Sequence, residues 1–178
     1  MSEVMTEKFN RINARFQELY KEQGLTLRVT CGYRSPRDQA ILYRKSQTTK
    51  KVIEKCNQLS KMGYPELAEI LEKIPPQKTG RWLTSAGPGE SWHNFDLALD
   101  ICIFNKEGRR LWGTAKKEDL DRWLIFGKLS VEENLTWGGY FKNKDKNKDY
   151  GHIQYHSVSN PLNLYSRRDV IKLLGLQT

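Results

Sequence analysis

The sequence has no apolar run approaching the ~20 residues that span a bilayer. It has three cysteines, none in a Cys-x-x-Cys pair, and only three histidines. Each shortage closes a class. Without a long apolar run there is no transmembrane helix to place. The scattered, odd-numbered Cys31, Cys56 and Cys102 do not form a disulfide framework. Cys31 and Cys102, set in apolar strand-like runs, read as small buried hydrophobes. The first residues, Met1-Ser2-Glu3-Val4-Met5-Thr6-Glu7-Lys8, contain neither an apolar core nor a small-residue cleavage site, so no secretory signal is expected. Internal repeats are absent and no second domain stands out, so the length is read as a single domain over 1–178. Acidic residues are also in short supply. Lys and Arg number 30 against 21 Asp and Glu, a net charge of +9. That balance suits a polyanionic partner such as nucleic acid, anionic lipid or cell wall. Basic residues cluster at Arg44, Lys45, Lys50 and Lys51 and again at Lys142, Lys144, Lys146 and Lys148. Aromatic and basic residues do not interleave along one segment, so no specific nucleic-acid signature is read.

What is present is the patterning of a globular chain, 38% hydrophobic and 11% aromatic. Met5, Phe9, Ile12, Phe16 and Leu19 recur at helical steps and predict an amphipathic helix closed by Gly24. Leu27, Val29 and Cys31 alternate with Thr26, Arg28 and Thr30 as a strand. Ser35, Pro36 and Asp38 have the chemistry of a helix start, with Gln39, Leu42 and Tyr43 following. Residues 46–73 read as a helical hairpin, with Val52, Ile53, Cys56 and Leu59 on one stripe. Gly63 and Pro65 make the break, and Leu67, Ile70 and Leu71 form the second stripe. A Gly/Pro/Ser loop runs to Ser91. Leu97, Leu99, Ile101 and Ile103 alternate with Ala98, Asp100 and Cys102, a strand with one bulky face and one small face around Asp100. Asn105–Gly108 is a turn, and Leu120, Trp123, Leu124 and Gly127 mark a further helix. His152–His156 is a short strand, and Ser166 with Asp169 starts a last helix. The fold expected is α+β: a small, largely antiparallel sheet carrying the site, flanked by helices, with an inserted hairpin.

The chemistry concentrates in Ser91-Trp92-His93 through Asp100 and in Asp149-Tyr150-Gly151-His152. Two imidazoles and a carboxylate suit a three-ligand zinc site with one position open, and a further acid suits a general base. The spacing is too long for two ligands on one helix, so they must come from a loop and separate strands. The same residues read equally as hydrogen-bonded structural histidines and a paired carboxylate. His156 is excluded as a co-ligand. On a strand it would lie about 13 Å from His152, whereas zinc ligand atoms sit ~2 Å from the ion. Asp149 is the candidate base, and Asp145, among Lys and Asn, reads as solvated. Arg34, at a strand-to-helix corner, could hold a substrate carboxylate or a developing oxyanion; its alternative is a surface arginine.

These blocks resemble, in order, the zinc peptidases that cut bacterial peptidoglycan peptides. The family comprises the D-alanyl-D-alanine dipeptidases and carboxypeptidases and the phage L-alanyl-D-glutamate endolysins. Ser91, His93, Ala98 and Asp100 fit its SxHxxGxAxD. Gly32, Arg34, Ser35 and Gln39 fit G-x-R-S-x-x-x-Q. Trp137-Gly138-Gly139 followed by Asp149 and His152 fit W-G-G and D-x-x-H. The resemblance implies one Zn²⁺ on His93, Asp100 and His152, with Asp149 as base and Arg34 near the substrate. It further implies that Ser91, Gln39 and Trp137 contribute to substrate binding. Asp96 stands where the family has Gly, a position Asp can fill because it tolerates the left-handed region better than most residues. The implied activity is hydrolysis of the L-alanyl-D-glutamate bond of peptidoglycan stem peptides. The alternatives are D-alanyl-D-alanine cleavage or a non-enzymatic basic wall- or nucleic-acid-binding module. Single-domain size and the lack of a signal imply a monomeric phage-type endolysin, made in the cytoplasm of a bacterial host and acting on the wall after release.

Overall fold

The computed structural model describes residues 1–45, 47–77, 83–141 and 148–177. Ser46, Lys142, Lys144, Asp145 and Lys146 lie outside the described residues, as does part of the loop before Ser91. The chain divides into two compact units: Met1–Gly32 with Leu97–Ser157, and Tyr33–Asp96 with Val158–Thr178.

The first unit holds the sheet. It contains α1 (Glu3–Leu19), β1 (Thr26–Cys31), β2 (Ala98–Phe104), β3 (Arg110–Leu111), α5 (Lys117–Glu132), β4 (Thr136–Trp137) and β5 (His152–Gln154). Strand order is β1-β2-β5-β4, with β3 also on β2, and every pairing is antiparallel. The alternation read in the sequence sets the faces. Leu27, Leu99, Ile101, Ile103 and Ile153 form one core with Met5, Phe9, Ile12 and Phe16 of α1 and Trp123, Phe126 and Leu129 of α5. By the two-residue period of a strand, Ala98, Asp100, Cys102, His152 and Gln154 belong to the opposite face. The register confirms that sharing, pairing Ala98 with Gln154 and Asp100 with His152. A short 3₁₀ turn, Lys21–Gln23, extends α1 to Gly24, whose φ of 60° closes it.

Several expectations change here. Leu19, Ile53 and Leu124 continue apolar stripes but are exposed, Leu19 as the last residue of its helix. The last strand ends at Gln154, so His156 lies beyond it. Cys31 is only half-buried and sits opposite Asp100, whereas Cys102 is buried and burial pushes its thiol pKa up.

The second unit is helical: α2 (Pro36–Arg44), α3 (Thr49–Lys61), α4 (Pro65–Glu72) and α6 (Arg167–Leu174). The start of α2 is as read: Ser35 Oγ accepts from the Asp38 amide at 3.1 Å and lies 2.6 Å from its carboxylate. Ser166 and Asp169 repeat the arrangement on α6. The hairpin expected over 46–73 is α3 and α4, turning at Gly63 with φ of 88°. Its inner stripe packs into two cores. One contains Leu59, Leu67, Leu162 and Val170, and the other contains Ala40, Tyr43, Val52 and Leu71. Lys55 of α3 also pairs with Glu90 at 2.8 Å, both side chains largely buried. Glu90 Oε2 accepts the Gly87 amide at 2.7 Å as well. A buried pair of this kind is costly to break by removing one partner, so the hairpin is tied to the segment that leads into Ser91 and His93. Among the described residues, no helix is long and apolar enough to cross a membrane.

Candidate metal centre

In the sheet unit, antiparallel pairing of β2 and β5 sets Asp100 directly across from His152. His152 Nδ1 lies 3.0 Å from Asp100 Oδ1. Asp149 reaches the same place through a tight turn in which the His152 amide donates to the Asp149 carbonyl at 3.1 Å. One ligand-type atom from each of Asp100, Asp149 and His152 falls within 4.8 Å of the others. His152 is buried, Asp100 half-buried and Asp149 exposed. Two carboxylates and an imidazole converging on one point are a donor set that fits a divalent cation such as zinc. His156 is not in this cluster. Burial lowers its pKa, and its ring packs edge-on against Tyr155.

The His152 imidazole is subject to opposing effects. Burial alone pushes its pKa down. The hydrogen bond and charge of Asp100, then the charge of Asp149 and the bond to Gln154, outweigh that and raise it above the ordinary 6.5. Without a metal, a proton is therefore favoured between His152 and Asp100, and a cation binding these two residues must displace it.

The Trp-Gly-Gly segment explains itself by close approach. A Cβ on Gly138 would collide with the Asp149 carbonyl oxygen and come within 3.0 Å of His152 Cβ. Only glycine lets the Asp149–His152 turn settle there. Gly127 of α5 and Gly139 likewise make room for the Trp137 ring. Trp137 is buried, and its indole N–H donates to the Tyr150 carbonyl at 2.8 Å. The ring is thus packed inside the sheet unit, with its hydrogen bond on the turn between Asp149 and His152.

In the helical unit, His93 sits in a 3₁₀ turn, Trp92–Phe95, and is itself buried. Ser91 caps that turn, its Oγ accepting the His93 amide at 3.4 Å. The Trp92 indole donates to the Val158 carbonyl at 2.6 Å, and the Trp92, Phe95 and Tyr165 rings cluster. Asn94 is buried and hydrogen-bonded at both ends of its amide. Its amide nitrogen donates to the Arg34 carbonyl at 2.8 Å, and its oxygen accepts from Gly89 at 2.9 Å. The Arg34 amide in turn donates to the His93 carbonyl at 3.0 Å. Arg34 and His93 are thus held side by side through the backbone. Asp96 closes the turn with φ of 58° and ψ of 29°, the left-handed conformation expected where the family has Gly.

The Arg34 guanidinium donates to Gln39 Oε1 at 2.9 Å, and the Gln39 amide donates to the Ala86 carbonyl at 2.7 Å. Gln39 is fully buried. Its bond to the half-buried arginine links Arg34 to the interior of the helical unit.

Sequence reasoning missed two neighbours of the centre. Gln154 Oε1 lies 3.1 Å from His152 Nε2; its signal was a strand position two residues from His152, hence the same face. Cys31 Sγ comes within 4.8 Å of an Asp100 carboxylate oxygen. That follows from the β1–β2 register, which neither strand alone announces.

A small antiparallel sheet bearing a carboxylate–imidazole cluster able to hold a cation defines an α+β protein with a candidate metal centre. The chain belongs to the VanY family (D-alanyl-D-alanine carboxypeptidase), which it matches over residues 2–158. The peptidoglycan L-alanyl-D-glutamate endopeptidase CwlK of Bacillus subtilis strain 168 is 25% identical over 135 residues, 74% of this chain and 62% of that protein. The chain thus spans about six tenths of that relative's length. A crystal structure of a variant of the vancomycin-resistance D,D-pentapeptidase VanY, in complex with Zn(II), is 18% identical to the chain. It covers 93% of this chain and 78% of its own, with a TM-score of 0.36.

Proposed function

We propose that this protein is a zinc-dependent peptidase of peptidoglycan stem peptides, cutting the L-alanyl-D-glutamate bond as a cell-wall-lysing endolysin. The observation that carries the reading is the convergence of Asp100, Asp149 and His152 on one face of the sheet. The family to which the chain belongs, and its likeness to an endopeptidase of the same substrate class, support it.

In this reading Asp100, His152 and His93 hold one zinc ion. Zinc there supplies a Lewis acid for the scissile carbonyl and water acidified to a pKa of about 7. Asp149, the exposed member of the cluster, takes the proton as water attacks and returns it to the leaving amine. Arg34, aimed by Gln39, receives the carboxylate or developing oxyanion of the substrate. Ser91, Gln39 and Trp137 serve substrate binding by holding His93, Arg34 and the Asp149–His152 turn in place. The net charge of +9 keeps the protein, acting as a monomer, on an anionic wall, an attraction that salt screens.

Digestion of a soluble muropeptide, with products identified by mass spectrometry, tests the bond assignment. A new peptide with amino-terminal D-Glu is the expected product. Released D-Ala alone would overturn the endopeptidase assignment in favour of a D,D-carboxypeptidase.

A further inference from the structure

Gln154 is buried on the site face of β5, and both ends of its amide are engaged. Nε2 donates to the His156 carbonyl at 2.6 Å, and Oε1 faces His152 Nε2 at 3.1 Å. A carbonyl oxygen only accepts, so the His156 carbonyl fixes which end of the amide is the nitrogen. The other end is then an oxygen, which also only accepts. The hydrogen atom in the Gln154–His152 bond must therefore belong to His152 Nε2. Nδ1, the other nitrogen, faces the Asp100 carboxylate, which also only accepts, so without a metal Nδ1 carries a proton as well, and a cation bound there takes that proton's place.

We propose that Gln154 is a positioning residue that fixes His152 as its Nε2–H tautomer, presenting Nδ1 beside Asp100 as the ligand atom. This rests on the reading of Asp100 and His152 as metal ligands. The logic is that of an outer partner which holds a ligating histidine by its second nitrogen, sets its orientation and makes it a better donor. The backbone supplies the anchor: the His156 carbonyl lies just past the end of the strand. His156 thus contributes to the centre through its main chain, although its ring does not.

Two substitutions in the full-length protein separate this role from a merely structural one. Gln154→Met keeps length and burial but loses both polar ends. Gln154→Glu keeps an acceptor for His152 Nε2–H but loses the donor to the His156 carbonyl. The readouts are the ¹⁵N spectrum of the His152 ring in metal-free and zinc-loaded protein, and zinc affinity by competition with a chromophoric chelator. In the unsubstituted, metal-free protein Nε2 should carry a proton, and zinc should displace only the proton on Nδ1. Gln154→Met should bind zinc about 10–100-fold more weakly. Gln154→Glu should keep the Nε2–H tautomer and stay within a few-fold of the parent affinity. A residue that only tied down the end of the strand would suffer equally from both changes, because both lose the amide donor. Equal losses would therefore overturn the proposal, as would a methionine variant indistinguishable from the parent, or a zinc-loaded parent ring carrying its proton on Nδ1. If the methionine variant does not fold, the parent ring and the glutamate variant still decide. Failure of the parent to bind zinc would sink the zinc reading, while the metal-free ring spectrum would judge Gln154 independently.

Discussion

Replacing His152 with alanine should cost the protein its zinc. Imidazole Nδ1 and the Asp100 carboxylate face each other at 3.0 Å, so removing the ring takes away one of three proposed ligands and leaves Asp100 without its partner in the sheet. Losing an outer partner of a ligand weakens metal binding about 10–100-fold, and losing a ligand should cost more than 100-fold. Isothermal titration of metal-free protein with zinc measures this directly. His156→Ala is the matched control. That ring lies beyond β5 and outside the ligand cluster, and Gln154 uses only its main-chain carbonyl. Its zinc affinity should stay within a few-fold of the parent. Equal loss in the two variants, or loss in neither, would mean that the ligand set is wrong.

Asp149→Asn should separate chemistry from metal binding. The side chain is exposed at the open edge of the cluster, while its main chain is fixed against Gly138 and His152. Asparagine preserves the shape and the turn but cannot take up a proton. A positioned general base contributes 10²–10⁴-fold, so turnover of muropeptide should fall by about that factor with zinc content unchanged. Measuring kcat beside zinc per chain distinguishes the outcomes. Loss of zinc would make Asp149 a fourth ligand, a role its distance from Asp100 and His152 permits. Near-normal turnover would remove it from the mechanism.

What the sequence made legible was local. The face partition of β2 could be read because strand alternation needs only adjacent residues, and Ser35-Pro36-Asp38 could be read because a helix cap closes within one turn. The left-handed Asp96 was legible by comparison with the glycine of a familiar motif. What stayed hidden depends on register or on approach through space. Nothing in β1 says that Cys31 will stand opposite Asp100, since one step of slip would have turned it to the other face. The Lys55–Glu90 pair joins positions on separate elements. Gln39 and Trp137 belong to motifs that suggest substrate contact, yet both are buried, and their hydrogen bonds run to Arg34 and to the Tyr150 carbonyl. The two-residue β3 carries too little pattern to be seen at all.

The account turns on whether wall hydrolysis follows the metal. The protein should be stripped of metal with a chelator, dialysed, and added to purified peptidoglycan before and after one equivalent of zinc, with soluble stem peptides followed by mass spectrometry. Stripped protein should release nothing above background. One equivalent of zinc should restore release of peptides beginning with D-Glu, and further zinc should add little. Undiminished release from the stripped protein, or none from folded protein holding one zinc per chain, would contradict the assignment of a zinc peptidase.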